Sequence, residues 1–372
     1  MTLMLGFQEP VREPVPLLEK TTFDDRPKFL HQHFTSLIRL MPPILAFALV
    51  LTILFLAGTK PFNTLWVLLE GGIGTVGRID HALSIFIPMA ITSMALLLPF
   101  AGGLWNIGIE GQVTLGAVCS MAVLRVIPET SPTLALPLAV AAAIAGGAAW
   151  ALVPGLLRVF GRIHEIFTGL GLNYVALGLC IWLVFGPWKR LGIASMSGTE
   201  LLPKTFWLTT LSDLSLAPTG LVLALLAWLL VPALLNHTRF GLVLRAVGRN
   251  PQTARTMELK SNKILLMAMA GCGGLAGLAG CLQVLTVYHQ LIPSISCGYG
   301  YSGLLVTMMA SFRSVFILPL CALLAVLKTG AIQLPLQFGL DSSLGGIVET
   351  SLALFFVLTH GLIQWHGTRR KK

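Results

Sequence analysis

The sequence is poor in charge. Only 11% of its 372 residues are Asp, Glu, Lys or Arg, against about 25% in a soluble domain. With 55% hydrophobic residues and a mean hydropathy of +0.83, the chain reads as a polytopic membrane protein. It also lacks paired cysteines. The six present stand singly at Cys119, Cys180, Cys272, Cys281, Cys297 and Cys321, which argues against a disulfide framework or a zinc site and for small buried apolar roles. A phosphate-binding loop is missing too. "GGIGTVGR" (71–78) carries the glycines, but Arg78-Ile79 stands where Lys-Ser/Thr is needed, and no strand precedes it. It is expected to be an interfacial loop or short helix, so the chain has no ATPase module of its own. "HEIF" (164–167) is no zinc-protease motif, because Thr168 replaces the second histidine. Residues 1–39 carry charges of both signs and no signal-peptide core; they read as a cytoplasmic lead-in.

The net charge of +10 does not imply nucleic acid. The basic residues gather in the amino-terminal segment, in 237–263 and in the tail 363–372, which ends "RRKK". Clusters at the ends of apolar spans follow the positive-inside bias. A spanning helix needs about 20 apolar residues. Spans fit 40–59, 83–101, 107–127, 134–157, 166–186, 218–236, 315–333 and 345–362. Residues 264–312 contain no Asp, Glu, Lys or Arg and are long enough to cross twice at about 1.5 Å per residue. The expectation is an all-α bundle of about ten transmembrane helices over 40–362. Both termini and the basic loops would lie inside, and 187–217 outside.

Two breaks interrupt the apolar runs. One is 99–111, with Pro99, Gly102, Gly103, Gly108 and Gly111; the other is 293–303, with Pro293, Gly298, Gly300 and Gly303. Backbone freed in lipid must be buried in protein or line a cavity, and broken helices in corresponding places point to a translocation path. The first break contains Asn106, Glu110 and Gln112. Asn106 and Glu110 are spaced to share a helix face. These groups either satisfy the freed backbone or line the path, since intramembrane ionisable groups are functional candidates by default. Lys328 and Glu349 are single charges inside apolar spans that pair, snorkel or line a cavity. In the basic loop, Asn250 is suited to cap a helix and Pro251 to its first turn, giving a short helix over 251–259 that needs a partner surface. "GCGGLAGLAGCL" (271–282) reads as close helix packing.

These motifs together resemble a known family. "FAGGLWNIGIEGQVTLGA" (100–117), "GRIHEIFTGLGLNYVAL" (161–177), "TRFGLVLRAVGRNPQTAR" (238–255) and "GLAGCLQVL" with "GYGYSGLLVTMMA" (277–310) resemble, in order, the signature segments of permease subunits of bacterial ABC importers for nucleosides and simple sugars. The resemblance implies a type II importer-like permease in the cytoplasmic (inner) membrane. It implies as partners a second, homologous but non-identical permease subunit, cytoplasmic ATP-binding subunits and an extracytoplasmic substrate-binding protein. This chain would bind no cofactor; ATP and Mg would sit on the ATPases. Trp105, Asn106, Glu110, Gln112, Asn173, Tyr174, Tyr299 and Tyr301 become the path or substrate candidates. Arg239, Gly241, Arg245, Gly248, Asn250, Pro251, Ala254 and Arg255 become the ATPase-coupling candidates. The chain departs from the family pattern at Thr253, at Glu258-Leu259 and in "ASFRSV" (310–315), where a glycine is usual. Nucleosides or nucleobase-like compounds are favoured by the "WNIGIEGQ" and "LNYVAL" blocks, with simple sugars as the alternative. A stand-alone ion-coupled transporter has thin support in Glu110 and Glu349, and an intramembrane enzyme lacks an acid–base pair or metal cluster.

Overall fold

The computed structural model describes residues 44–45, 48–56, 58–190, 192, 198–208, 218–339, 344–348, 350–351, 354 and 358. The amino-terminal segment, the basic tail, Glu349 and most of the span expected at 345–362 lie outside the described residues. Within them the fold is helical, and the one β-bridge joins Lys189 to Thr199.

Twelve helices follow one another among the described residues from Pro61 onward: α1 Pro61–Ile73, α2 Val76–Ala101, α3 Ile109–Val126, α4 Pro132–Val159, α5 Glu165–Phe185, α6 Pro218–His237, α7 Arg239–Arg249, α8 Pro251–Thr256, α9 Ser261–Leu282, α10 Tyr299–Met309, α11 Ser314–Ala331 and α12 Gln333–Phe338. Helix α9 continues as a π-helical turn, Gln283–Tyr288. Seven helices or helix runs among the described residues are long and apolar enough to cross a membrane. The expected count of about ten is therefore not reached there. The second passage of 264–312 is not a full span: after Tyr288 the chain runs irregularly to Gly298, and α10 has 11 residues, about half a bilayer at 1.5 Å per residue. The "GGIGTVGR" segment ends α1 and starts α2, whose first turn is capped by the Thr75 hydroxyl accepting from Arg78 N–H at 3.3 Å.

Helices α2 and α3 are central, whereas α4, α5 and α6 expose most of their surface, as lipid-facing helices do. Small residues let α3, α4 and α9 meet backbone to backbone. Gly116 lies on Gly277, Gly147 on Gly273, Gly277 on Ala143, and Gly280 on Val113. Lipid gives helices no hydrophobic drive to associate, so this close contact supplies the van der Waals attraction instead. The "GCGGLAGLAGCL" stretch is thus packing.

The two ends of the bundle differ. At one end the α2–α3 turn meets α7, and Arg158 pairs with Glu165 at 3.0 Å. Arg245, Arg249 and Phe312 gather there as well. At the opposite end, residues 198–208 fold onto the turn after α9: Thr199 N–H donates to Leu291 O at 2.9 Å and Leu202 N–H to His289 O at 2.7 Å. Trp207 stacks on His289 with ring centroids 3.7 Å apart.

Candidate functional site

The first break begins with a helix stop. Leu104 N–H donates to Pro99 O at 2.9 Å and Gly103 N–H to Phe100 O at 3.0 Å, the paired bonds of a Schellman motif. Gly103 has φ +75°, a left-handed conformation that glycine adopts without strain. The chain then runs unwound through Asn106 and re-enters a helix at Ile109. Asn106 therefore does not share a helix face with Glu110, contrary to the spacing expectation, because the helix starts after it. The Asn106 and Gln112 amides pair reciprocally, Nδ2 to Oε1 at 3.0 Å and Nε2 to Oδ1 at 2.9 Å. Both side chains are buried. The pair ties the unwound stretch to the first turns of α3, and Asn106 also donates to Cys272 Sγ on α9 at 3.1 Å.

Glu110 turns elsewhere. Its Oε1 accepts Gly298 N–H at 2.9 Å, and its Oε2 accepts Gly300 N–H at 2.8 Å and Tyr301 N–H at 3.3 Å. These are among the donors a helix start leaves without intrahelical partners, here at the N-terminus of α10. Glu110 is itself in the first turn of α3. Two helix N-termini, each carrying partial positive charge, thus converge on one carboxylate. The approach depends on Gly300: a Cβ there would lie 2.6 Å from Glu110 Oε2 and 2.8 Å from Glu110 N. Asn173 on α5 closes the group. Its Oδ1 accepts Gly111 N–H at 2.9 Å, and its Nδ2 donates to Ile107 O at 3.0 Å and to Tyr301 Oη at 2.9 Å. Threonine 92 on α2 donates to Tyr299 O at 3.1 Å. Lys328 reaches Ser302 Oγ at 2.7 Å.

The structure thus brings Glu110, Asn173, Tyr301 and the Tyr299 backbone together, and joins Asn106 to Gln112. It does not bring Trp105 to them. Trp105 N–H donates to Glu165 Oε1 at 3.2 Å, and its ring meets Phe100 edge-on at 5.2 Å. Tyr174 is exposed on the outside of α5.

The basic loop is more helical than its spacing suggests. Asn250 Oδ1 accepts both Gln252 and Thr253 N–H at 3.1 Å, so the expected cap is present. The helix it starts ends at Thr256, short of 259. A further helix, α7, precedes it, with Thr238 as its N-cap. Phe240, Leu244 and Val247 recur at helical spacing, and Leu244 and Val247 are buried; that period was the signal for α7. Gly248 lies against Ala101 O, and a Cβ there would sit 2.8 Å from Gly102 C. Arg245 Nη1 donates to Asn236 Oδ1 at 3.2 Å. Gly241 packs on Leu235 O and Ala254 is buried, whereas Arg239 stands at the helix start. The side chain of Arg255 is outside the described residues. A cleft of about 860 Å³ opens here, lined in part by Phe100, Trp105, Asn236, Arg245, Arg249 and Phe312.

Comparison with known proteins decides what this arrangement belongs to. The family model described as "Branched-chain amino acid transport system / permease component" matches residues 78–359. The chain belongs to that family. The permease is therefore a multi-pass membrane transport subunit of an ABC importer and not itself an enzyme, the ATPase being a separate subunit. It is 26% identical over 350 residues to the guanosine ABC transporter permease protein NupP of Bacillus subtilis, covering 93% of this chain and 99% of that one. It is 26% identical over 283 residues to a second such protein from that organism, NupQ, covering 72% of this chain and 81% of NupQ. It is 27% identical over 288 residues to the glucose ABC transporter permease protein TsgB13 of Haloferax volcanii, covering 73% of each. In the permease, the two unwound breaks and the carboxylate that joins them lie inside the matched region.

Proposed function

We propose that the permease forms one half of the membrane pathway of a nucleoside importer of the bacterial cytoplasmic membrane. A second permease chain of the same family but different sequence completes the pathway. The two guanosine permease proteins of Bacillus subtilis, both similar to this chain, support a non-identical partner. Two cytoplasmic ATP-binding sites, loaded with ATP and Mg on their own subunits, drive it, and an external binding protein delivers the substrate. The basic end, with α7 and α8, faces the cytoplasm by the positive-inside bias, and both termini lie on that side. Nucleosides are favoured over simple sugars because the similarity to NupP covers 93% of the chain, while that to the glucose permease covers 73%.

The observation that carries the mechanism is the seat of α7 on the first break. Gly248 rests on the Ala101–Gly103 turn, a few residues before Glu110, and Glu110 holds the start of α10. ATP-driven movement of the partner subunits shifts α7 and α8. The α2–α3 turn moves with them and carries the Glu110–α10 unit, so the pathway opens to alternate sides without covalent chemistry. Asn106, Gln112, Asn173 and Tyr301 set the shape of the path in this scheme, and Glu110 acts as a clasp.

The test is uptake of radiolabelled nucleosides and of ribose by proteoliposomes holding both permease chains, the ATPase and the binding protein. ATP-dependent accumulation of a nucleoside in preference to ribose is the expected result. Preference for the sugar would overturn the substrate assignment and leave the importer role standing.

A further inference from the structure

A second cavity, of about 250 Å³, opens between α2, α6 and the π-helical turn after α9. It lies in the half of the bundle away from the basic helices. None of the path candidates read from the sequence lines it. Five polar residues do: Asp80, His81, Ser84, Gln283 and Thr286. Gln283 is 1% exposed, and its Oε1 has no hydrogen-bond partner. A buried amide oxygen left in this state is destabilising unless something donates to it. The Ser84 hydroxyl donates to His81 O at 2.7 Å, and the Thr286 hydroxyl donates to Leu282 O at 2.7 Å. Their protons are committed to the helix backbone, so they offer lone pairs to the cavity. Asp80 adds a carboxylate. His81 is also at the rim, and its Nδ1 lies 3.3 Å from Thr329 Oγ1. The lining is therefore rich in acceptors.

The remaining walls are apolar, with Ile87, Pro88 and Leu282 among them. Acceptors at the edge and apolar faces suit a flat solute that carries N–H donors at its rim. The volume falls below the roughly 300–1,000 Å³ of pockets that enclose drug-sized ligands, so it takes a ring and not a large molecule. Gln283 and Thr286 belong to a π-helical turn, a feature concentrated at functional sites.

We infer that this cavity binds the donor-bearing edge of a planar base at the external end of the permease, with Gln283 as the accepting group. The inference rests on the nucleoside reading above and extends it to a specificity site.

The experiment uses the two permease chains with their ATPase in nanodiscs, without the binding protein, and measures binding of tritiated guanosine, with inosine as competitor. Inosine lacks the exocyclic amino group, so it should compete about tenfold more weakly, the equivalent of one lost hydrogen bond. Gln283→Leu should weaken guanosine binding about tenfold in complexes that assemble normally by size exclusion. Should Gln283→Leu fail to assemble, Thr286→Val supplies the same test with a smaller loss. Equal affinity for the two nucleosides, or unchanged affinity in the assembled variants, would overturn the site. Nucleoside import that persists while the variants bind like wild type refutes this site alone. A complex that imports only sugars refutes the nucleoside reading and the site with it.

Discussion

Replacing Glu110 separates a clasp from a substrate contact. The carboxylate accepts three backbone N–H groups, at 2.9, 2.8 and 3.3 Å. Glu110→Leu removes every acceptor. Each buried N–H left unpaired costs about 1–3 kcal/mol, so the total is roughly 3–9 kcal/mol, against a typical stability of about 5–15 kcal/mol. Assembly should be lost or nearly so. Glu110→Gln keeps one oxygen. Turned toward Gly300 and Tyr301, that oxygen retains two bonds, and the amide nitrogen faces Gly298 N–H. The loss is about one charge-assisted bond, roughly 1.5–3 kcal/mol, with a further few tenths to 1 kcal/mol from the two helix dipoles. The Gln variant should therefore assemble, melt several degrees earlier by fluorescence-detected size exclusion, and transport at a substantial fraction of the wild-type rate at permissive temperature. Complete loss of transport in a Gln variant of normal thermal stability would refute the reasoning and make Glu110 a substrate ligand. A fully stable Leu variant would refute it from the other side.

Three further outcomes follow from the packing. Glu258 adopts φ +54° after α8, where a left-handed side chain costs about 1–2 kcal/mol; Glu258→Gly should raise stability by about 0.5–1 kcal/mol after the added unfolded-state entropy of glycine, and no gain in melting temperature would contradict the strain. Gly248→Val drives a side chain into Ala101 O and Gly102, so the assembled complex should hydrolyse ATP with little transport, and normal coupling would count against the α7 seat. Gly277→Val pushes α9 off Ala143 and Gly147, and should abolish monodisperse assembly where Leu278→Val, at a residue outside this stripe, is tolerated.

Much of the fold was legible because lipid imposes simple rules. The positions of α4, α5, α6 and α11 follow from unbroken apolar length, within a few residues. The two breaks were marked by Gly103, Gly298 and Gly300, which the structure uses for left-handed turns and for one close approach. The cap at Asn250 was legible because Asn-Pro is a local signal. Helix α7 was not read, although Phe240, Leu244 and Val247 carry its period, because the basic residues between them read as a topological loop. The partner of Glu110 was illegible for a different reason. Gly298 and Gly300 lie 188 and 190 residues away, and no local pattern specifies which helix start an acid will hold. The same holds for Asn173 and Gly111. The sequence difference at "ASFRSV" was visible, but only the backbone shows that Ser311, at φ +52°, occupies a position suited to glycine. Asp80 and Gln283 escaped notice because single polar residues at helix ends look like ordinary interfacial groups until Gln283 Oε1 is found buried without a partner.

The central claim is that this chain is a driven, paired pathway and not a transporter on its own. Uptake of labelled nucleoside into proteoliposomes tests it most directly, comparing the chain alone with the full set of two permease chains, ATPase and binding protein. The account predicts accumulation only in the full set and only with ATP and Mg. Nucleoside accumulation by the isolated chain, driven by a proton or sodium gradient without ATP, would contradict it.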